Sequence, residues 1–190
     1  MSTIQTFTGL EVNPLDLKPE DIDIIDIAHA LSMKCRFGGH SATFYSVAEH
    51  SIYVARQMFK EIEGQKKVGM QKKHLLLAAL LHDAAEAYLA DIPSPVKKKL
   101  DGFDKIEEKA LKVIFTKFGI PANKYHVAMK QIKIPDERLL VTEAAVLLRN
   151  PVSFEENGLS PASVEIFSLD QSTARIKFLE EFQVLNEMEL

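Results

Sequence analysis

Leu75-Leu76-Leu77-Ala78-Ala79-Leu80-Leu81-His82-Asp83-Ala84-Ala85-Glu86-Ala87 decides how this chain folds. The run from Leu75 to Leu81 is apolar on every side, so a helix through it has no face to give to water and must be covered by neighbours. A helix from about Gln71 to Leu89 is therefore expected as the axis of the fold, with Pro93 and Pro95 stopping it. Within that apolar helix stand an imidazole and a carboxylate, His82 and Asp83. Burying an ionised carboxylate costs several kcal/mol unless a cation or hydrogen bonds compensate, and a metal ion is the obvious compensator.

Apolar residues recur at helical spacing on both sides of this axis. The pattern predicts a helix from Asp21 or Asp23 to about Lys34, ended by Gly38 and Gly39, and a second from Thr43 or Ser46 to near Gly64, with Val47, His50, Val54 and Met58 on one stripe. Further helices are expected over Phe103 to Phe118, Asn123 to Gln131, Pro135 to Leu148 and Asp170 to Asn186, with a short segment at Val96 to Leu100. Pro151, Asn157-Gly158 and Ser160-Pro161 mark a loop, and the only strand-like stretch runs from Phe7 to Val12. The expectation is all-α: one domain over 1–190, with its motifs within about 23–148 and a C-terminal loop and helix over 151–190.

Composition sets the outer bounds. The chain has 190 residues, 46% hydrophobic and 26% charged, which excludes disordered, collagen-like and coiled-coil classes. A chain of this length buries roughly 70% of the surface its unfolded form exposes, enough for a core without disulfides. The formal charge of −4 argues against binding a nucleic acid polymer, while leaving room for a local basic pocket. No apolar run is long enough to span a membrane. With a lone Cys35 and no secretory signal, a reducing, cytoplasmic setting is expected.

Two more ligands for a metal beside His82 and Asp83 are available: His50 on the inward stripe of the second helix, and Asp136 at the start of a later one. Two imidazoles and two carboxylates make a mixed nitrogen and oxygen site suited to one divalent transition metal ion: Mn, Co, Fe, Ni or Zn. Glu86 follows His82 by one helical turn and is expected to face the same ion.

Three blocks, Tyr45-Ser-Val-Ala-Glu-His50-Ser, Leu80-Leu-His82-Asp83-Ala-Ala-Glu86-Ala and Asp136-x-Arg138-x-Leu140-x-Thr142-Glu143-Ala144, resemble the His…His-Asp…Asp pattern of the HD-domain metal-dependent phosphohydrolases, in the same order. The stretch from Asp91 to Lys97 is similar to a segment of the bacterial 5′-deoxynucleotidases and phage dATP triphosphohydrolases. The resemblance implies an all-helical fold, metal ligands at His50, His82, Asp83 and Asp136, and a deoxynucleotide substrate. It implies that Glu86 and Asp91 activate water and protonate the leaving group, although Asp91 is also placed to cap the turn before Pro93. It also implies that Arg36, Lys97 and Lys133 meet phosphate, with Lys97-Lys98-Lys99 readable equally as an exposed run. Lys133, three residues before Asp136, is expected to share its face if the helix is continuous. Phe37 stands where the resembling enzymes often carry Trp, and is readable as a base-stacking ring or as core.

The implied reaction is hydrolysis of a deoxynucleoside 5′-monophosphate to nucleoside and phosphate, or of a triphosphate such as dATP to nucleoside and triphosphate. The alternative is a regulatory module that binds metal and nucleotide without turnover. Ala87 after Glu86 departs from the consecutive acids of the alarmone hydrolases in this superfamily. His29, His40, His74, His126, Glu49 and Cys35 are expected to be structural or superficial. Phe178, Phe182 and Leu185 form a last stripe that either covers the core or pairs with a second copy in a homo-oligomer.

Overall fold

A computed structural model describes residues 2–65, 69–150 and 159–188. Its helices start where a side chain can hold free backbone N–H groups. Asp23 accepts from Ile25 N at 2.7 Å to open α1 (Ile24–Met33), and Ser46 accepts from Glu49 N at 3.1 Å to open α2 (Val47–Ile62). There follow α3 (Lys72–Leu80), α4 (Ser94–Lys97), α5 (Phe103–Lys117), α6 (Tyr125–Leu147) and α7 (Gln171–Glu187), the last capped by Asp170. A small antiparallel ribbon, β1 (Ile4–Gln5) with β2 (Glu11–Val12), precedes them. Phe7 falls in its turn, where Gly9 takes φ 94°. The architecture is an all-α bundle.

Leu75 to Leu81 are buried throughout, and α3 packs against α2, α6 and α7. Across it, α2 also meets α1, α6 and α7, so His50 is carried into the middle of the bundle. The last stripe covers this core: Phe178 and Leu185 are buried and Phe182 packs against them from the edge.

Two helices differ from the sequence expectation. The axial helix ends at Leu80 instead of Leu89. His82 Nδ1 lies 2.8 Å from Ala79 O, the carbonyl that the N–H of residue 83 would need for another α turn. The chain tightens instead into a 3-10 turn over Ala84–Ala87, with Glu86 N donating to Asp83 O at 3.0 Å. Conversely, α6 runs unbroken through Pro135, where two helices are expected. A mid-helix proline costs about 3 kcal/mol. Ala128 and Ile132 before it and Leu139 and Leu147 after it are all buried, and each large apolar side chain contributes roughly 1.5–3 kcal/mol. Burial on both flanks outweighs the lost hydrogen bond.

Pro151 and Asn157-Gly158 of the expected loop lie outside the described residues. Beyond them, Ala162 N donates to Thr142 Oγ1 at 2.8 Å, and Leu169 N to Glu49 Oε2 at 2.8 Å, tying the approach to α7 onto α6 and α2. Among the described residues no helix is long and apolar enough to cross a membrane.

Candidate metal centre

His50 from α2, His82 and Asp83 from the turn after α3, and Asp136 from α6 converge. One ligand atom from each of His50, His82 and Asp83 lies within 4.8 Å of the others. Asp83 Oδ2 is 3.2 Å from His82 Nε2 and 3.7 Å from His50 Nε2. Asp136 Oδ1 is 3.2 Å from His50 Nε2 and 4.0 Å from His82 Nε2.

The histidines are prepared as ligands. His82 Nδ1 faces a carbonyl, which only accepts, so that nitrogen carries the proton. His50 Nδ1 lies 2.7 Å from the Glu143 carboxylate, which likewise fixes the proton there. Both Nε2 lone pairs then point into the cluster, and both buried Nε2 atoms lack a hydrogen-bond partner. Two buried acceptor nitrogens without donors, aimed at a point flanked by two carboxylates, fit a divalent cation.

Electrostatics agree. Burial would raise the Asp83 carboxyl, but His82, His50 and Arg36 hold it well below the usual carboxylate range. Burial acts on Asp136 in the same direction and is outweighed by His50 and His82, so it too is lowered. Burial and Arg36 push the His50 imidazole down, yet Glu143 and Asp136 raise it overall to about 9.

The 3-10 turn places Glu86 differently from an α-helix but to similar effect. Residues three apart lie on one side in that geometry, so Glu86 follows Asp83, whose charge acts on its carboxyl, rather than standing one α turn beyond His82. Burial, then Asp83 and Asp91, push its carboxyl up to about 10, and its Oε2 has no hydrogen-bond partner. Asp91 is partly buried and raised by that burial, and Pro93, not Asp91, occupies the cap position of α4.

Arg36 joins the cluster, with Nη1 3.7 Å from Asp83 Oδ2 and Nη2 3.2 Å from Glu143 Oε2. Its guanidinium lies 5.6 Å from the centre of the Phe37 ring. Phe37 adopts φ 55°, a left-handed conformation costing about 1–3 kcal/mol for a non-glycine residue, and packs against the core from a partly buried position. Lys97 donates to Glu107 Oε1 at 2.7 Å. Lys133 lies on the same continuous helix as Asp136; its side chain is 69% exposed and its Nζ lies 3.7 Å from Glu137 Oε1, one turn on.

Glu143 is the residue that sequence reasoning missed. It is fully buried and takes three partners: His50 Nδ1, the Tyr45 hydroxyl at 2.8 Å and Arg36 Nε at 3.2 Å. Its signal was its place two helical turns after Asp136, on the same face of one helix. The other histidines lie elsewhere: His29 stacks on Phe7 at 3.8 Å, and His126 sits 3.5 Å from Glu108 at the surface.

A family model described as 5′-deoxynucleotidase YfbR-like matches residues 29–151. The chain is 35% identical to the uncharacterized protein YfdR of Escherichia coli (strain K12), over 99% of this chain and 98% of that one. It is 36% identical to an uncharacterized protein of Rhodobacter capsulatus, over 60% of this chain and 57% of the relative.

Proposed function

The chain belongs to the YfbR-like 5′-deoxynucleotidase family of HD-superfamily phosphohydrolases, and from that membership we propose that it hydrolyses 2′-deoxynucleotides at the cluster of His50, His82, Asp83 and Asp136. The observation that carries the reading is the pair of donorless, tautomer-fixed Nε2 atoms facing two carboxylates. In the proposed site these four residues hold one divalent transition metal ion, Mn, Co, Fe, Ni or Zn. Such an ion supplies the acidity that makes water nucleophilic near neutral pH and polarises a phosphoryl oxygen. Residues 1–190 act as one domain, in a cytoplasmic setting.

Glu86 is the group placed to take the proton of the attacking water: burial and the neighbouring acids hold its carboxyl protonated on their own, and a divalent ion held beside Asp83 would lower it to the carboxylate that accepts a proton through its unpaired oxygen. Asp91 protonates the leaving 5′-oxygen as the bond from phosphorus to that oxygen breaks. Arg36 and Lys97 offset the charge gathering on the phosphoryl oxygens. Phe37, above the Arg36 guanidinium, offers a ring to the base. A monophosphate gives nucleoside and phosphate; a triphosphate cleaved at the same bond gives nucleoside and triphosphate.

Anion-exchange chromatography of products from metal-loaded protein, with deoxynucleoside mono- and triphosphates side by side, tests the reading. Phosphate from the monophosphate supports the nucleotidase form, and intact triphosphate from a dNTP supports the triphosphohydrolase form. No product from either, with metal bound, overturns the proposal.

A further inference from the structure

The cations already named at the site are spoken for. Arg36 is held by Glu143 and Asp83, Lys97 by Glu107, and Lys133 by Glu137 on the solvent side. Arg36 and Lys97 therefore bring to a phosphate dianion a charge already shared with a carboxylate, and a cation that no carboxylate holds would add to theirs.

Lys34 supplies one. It leaves α1 in extended conformation, φ −88° and ψ 123°, and Cys35 continues it at φ −86° and ψ 124°. This segment is pinned to the start of α2: Arg36 N donates to Tyr45 O at 2.9 Å, Val47 N donates to Lys34 O at 3.1 Å, and Cys35 bridges to Ser46. Along extended backbone, alternate side chains share a face, so Lys34 stands on the side from which Arg36 reaches Asp83 and Glu143. Cys35 turns the other way, to Ser41 Oγ at 3.6 Å. Lys34 is partly buried, and among the described residues no carboxylate lies within ion-pair distance of its ammonium. Burial lowers its pKa, while the charges of Glu86 and Asp91 act in the opposite direction.

We propose that Lys34 is a phosphate-binding residue of this site, its unclaimed ammonium taking a phosphoryl oxygen of the nucleotide on the face it shares with Arg36. The inference rests on the phosphohydrolase reading. Lysine suits the role because a compact ammonium donates to one oxygen without needing the planar fit of a guanidinium.

The test compares full-length, metal-loaded wild type with Lys34→Gln and Lys34→Arg, using deoxynucleoside monophosphate turnover and, separately, calorimetric titration with inorganic phosphate. Thermal melting confirms that both variants are folded. For Lys34→Gln, KM and the phosphate dissociation constant rise about ten- to hundredfold while kcat changes far less, and Lys34→Arg recovers most of the loss. Unchanged KM and phosphate affinity in Lys34→Gln overturn the assignment while leaving the function intact. A wild type that turns over no deoxynucleotide overturns the functional reading instead, and the phosphate titration then decides Lys34 alone: loss in Lys34→Gln supports the site, whereas equal affinity or no binding by wild type overturns it.

Discussion

Glu143 Oε1 lies 2.7 Å from His50 Nδ1, and the same carboxylate holds the Tyr45 hydroxyl and the Arg36 guanidinium. One buried acid therefore sets the tautomer of a proposed metal ligand and the position of a proposed phosphate-binding arginine. Arg36, His50 and the Tyr45 hydroxyl keep it ionised against a burial that would raise its pKa.

Replacing it exposes both roles. Glu143→Ala strands Arg36 and His50 without their partner, and breaking a buried pair of this kind costs about 3–5 kcal/mol. For a chain of this length that lowers Tm by roughly 2–4 °C per kcal/mol. Metal affinity falls about 10- to 100-fold as His50 loses its orientation. Thermal melts and metal titration read the two effects separately; an unchanged metal affinity contradicts the orienting role.

Metal binding itself stabilises the fold, because the ligands come from α2, the turn after α3, and α6. A divalent ion present at about 100 times its dissociation constant raises stability by about 2.7 kcal/mol. Differential scanning calorimetry with and without metal shows an upward shift for wild type. His82→Ala, which removes one of the two orphan Nε2 lone pairs, loses that shift; a variant that keeps it in full places the ion elsewhere.

Glu86→Gln separates an enzyme from a sensor. The amide keeps the shape of the buried side chain and cannot take a proton, so kcat falls about 10²- to 10⁴-fold while metal and nucleotide still bind. Single-turnover kinetics beside metal titration make the comparison. Wild-type turnover in this variant removes Glu86 from the chemistry.

The covering role of α7 is tested far from the site. Phe178 is fully buried, and Phe178→Ala opens a cavity worth about 3–5 kcal/mol of lost stability. Chemical denaturation measures it; a loss near zero contradicts the observed packing.

The fold was legible because its signals were local and strong: an all-apolar helix, capping Asp23, Ser46 and Asp170, and an amphipathic last stripe. The two misplaced helix boundaries came from interactions that periodicity does not register. At α3 the His82 side chain reaches back to Ala79 O, and at α6 tertiary burial carries the helix through Pro135. The convergence of His50, His82, Asp83 and Asp136 could be read from chemistry and block order. Glu143 and Lys34 were hidden for a different reason: a buried acid that orients and a lysine whose partners are all elsewhere differ from surface charges only in three dimensions.

The most direct test is phosphate release from deoxynucleoside monophosphates by wild type as loaded with metal, after chelation and after metal is restored, beside Asp83→Ala under the same conditions. The account predicts release that disappears on chelation, returns with metal, and is absent from Asp83→Ala at every stage. Undiminished release from the stripped protein or from Asp83→Ala, or none from metal-loaded wild type, contradicts it.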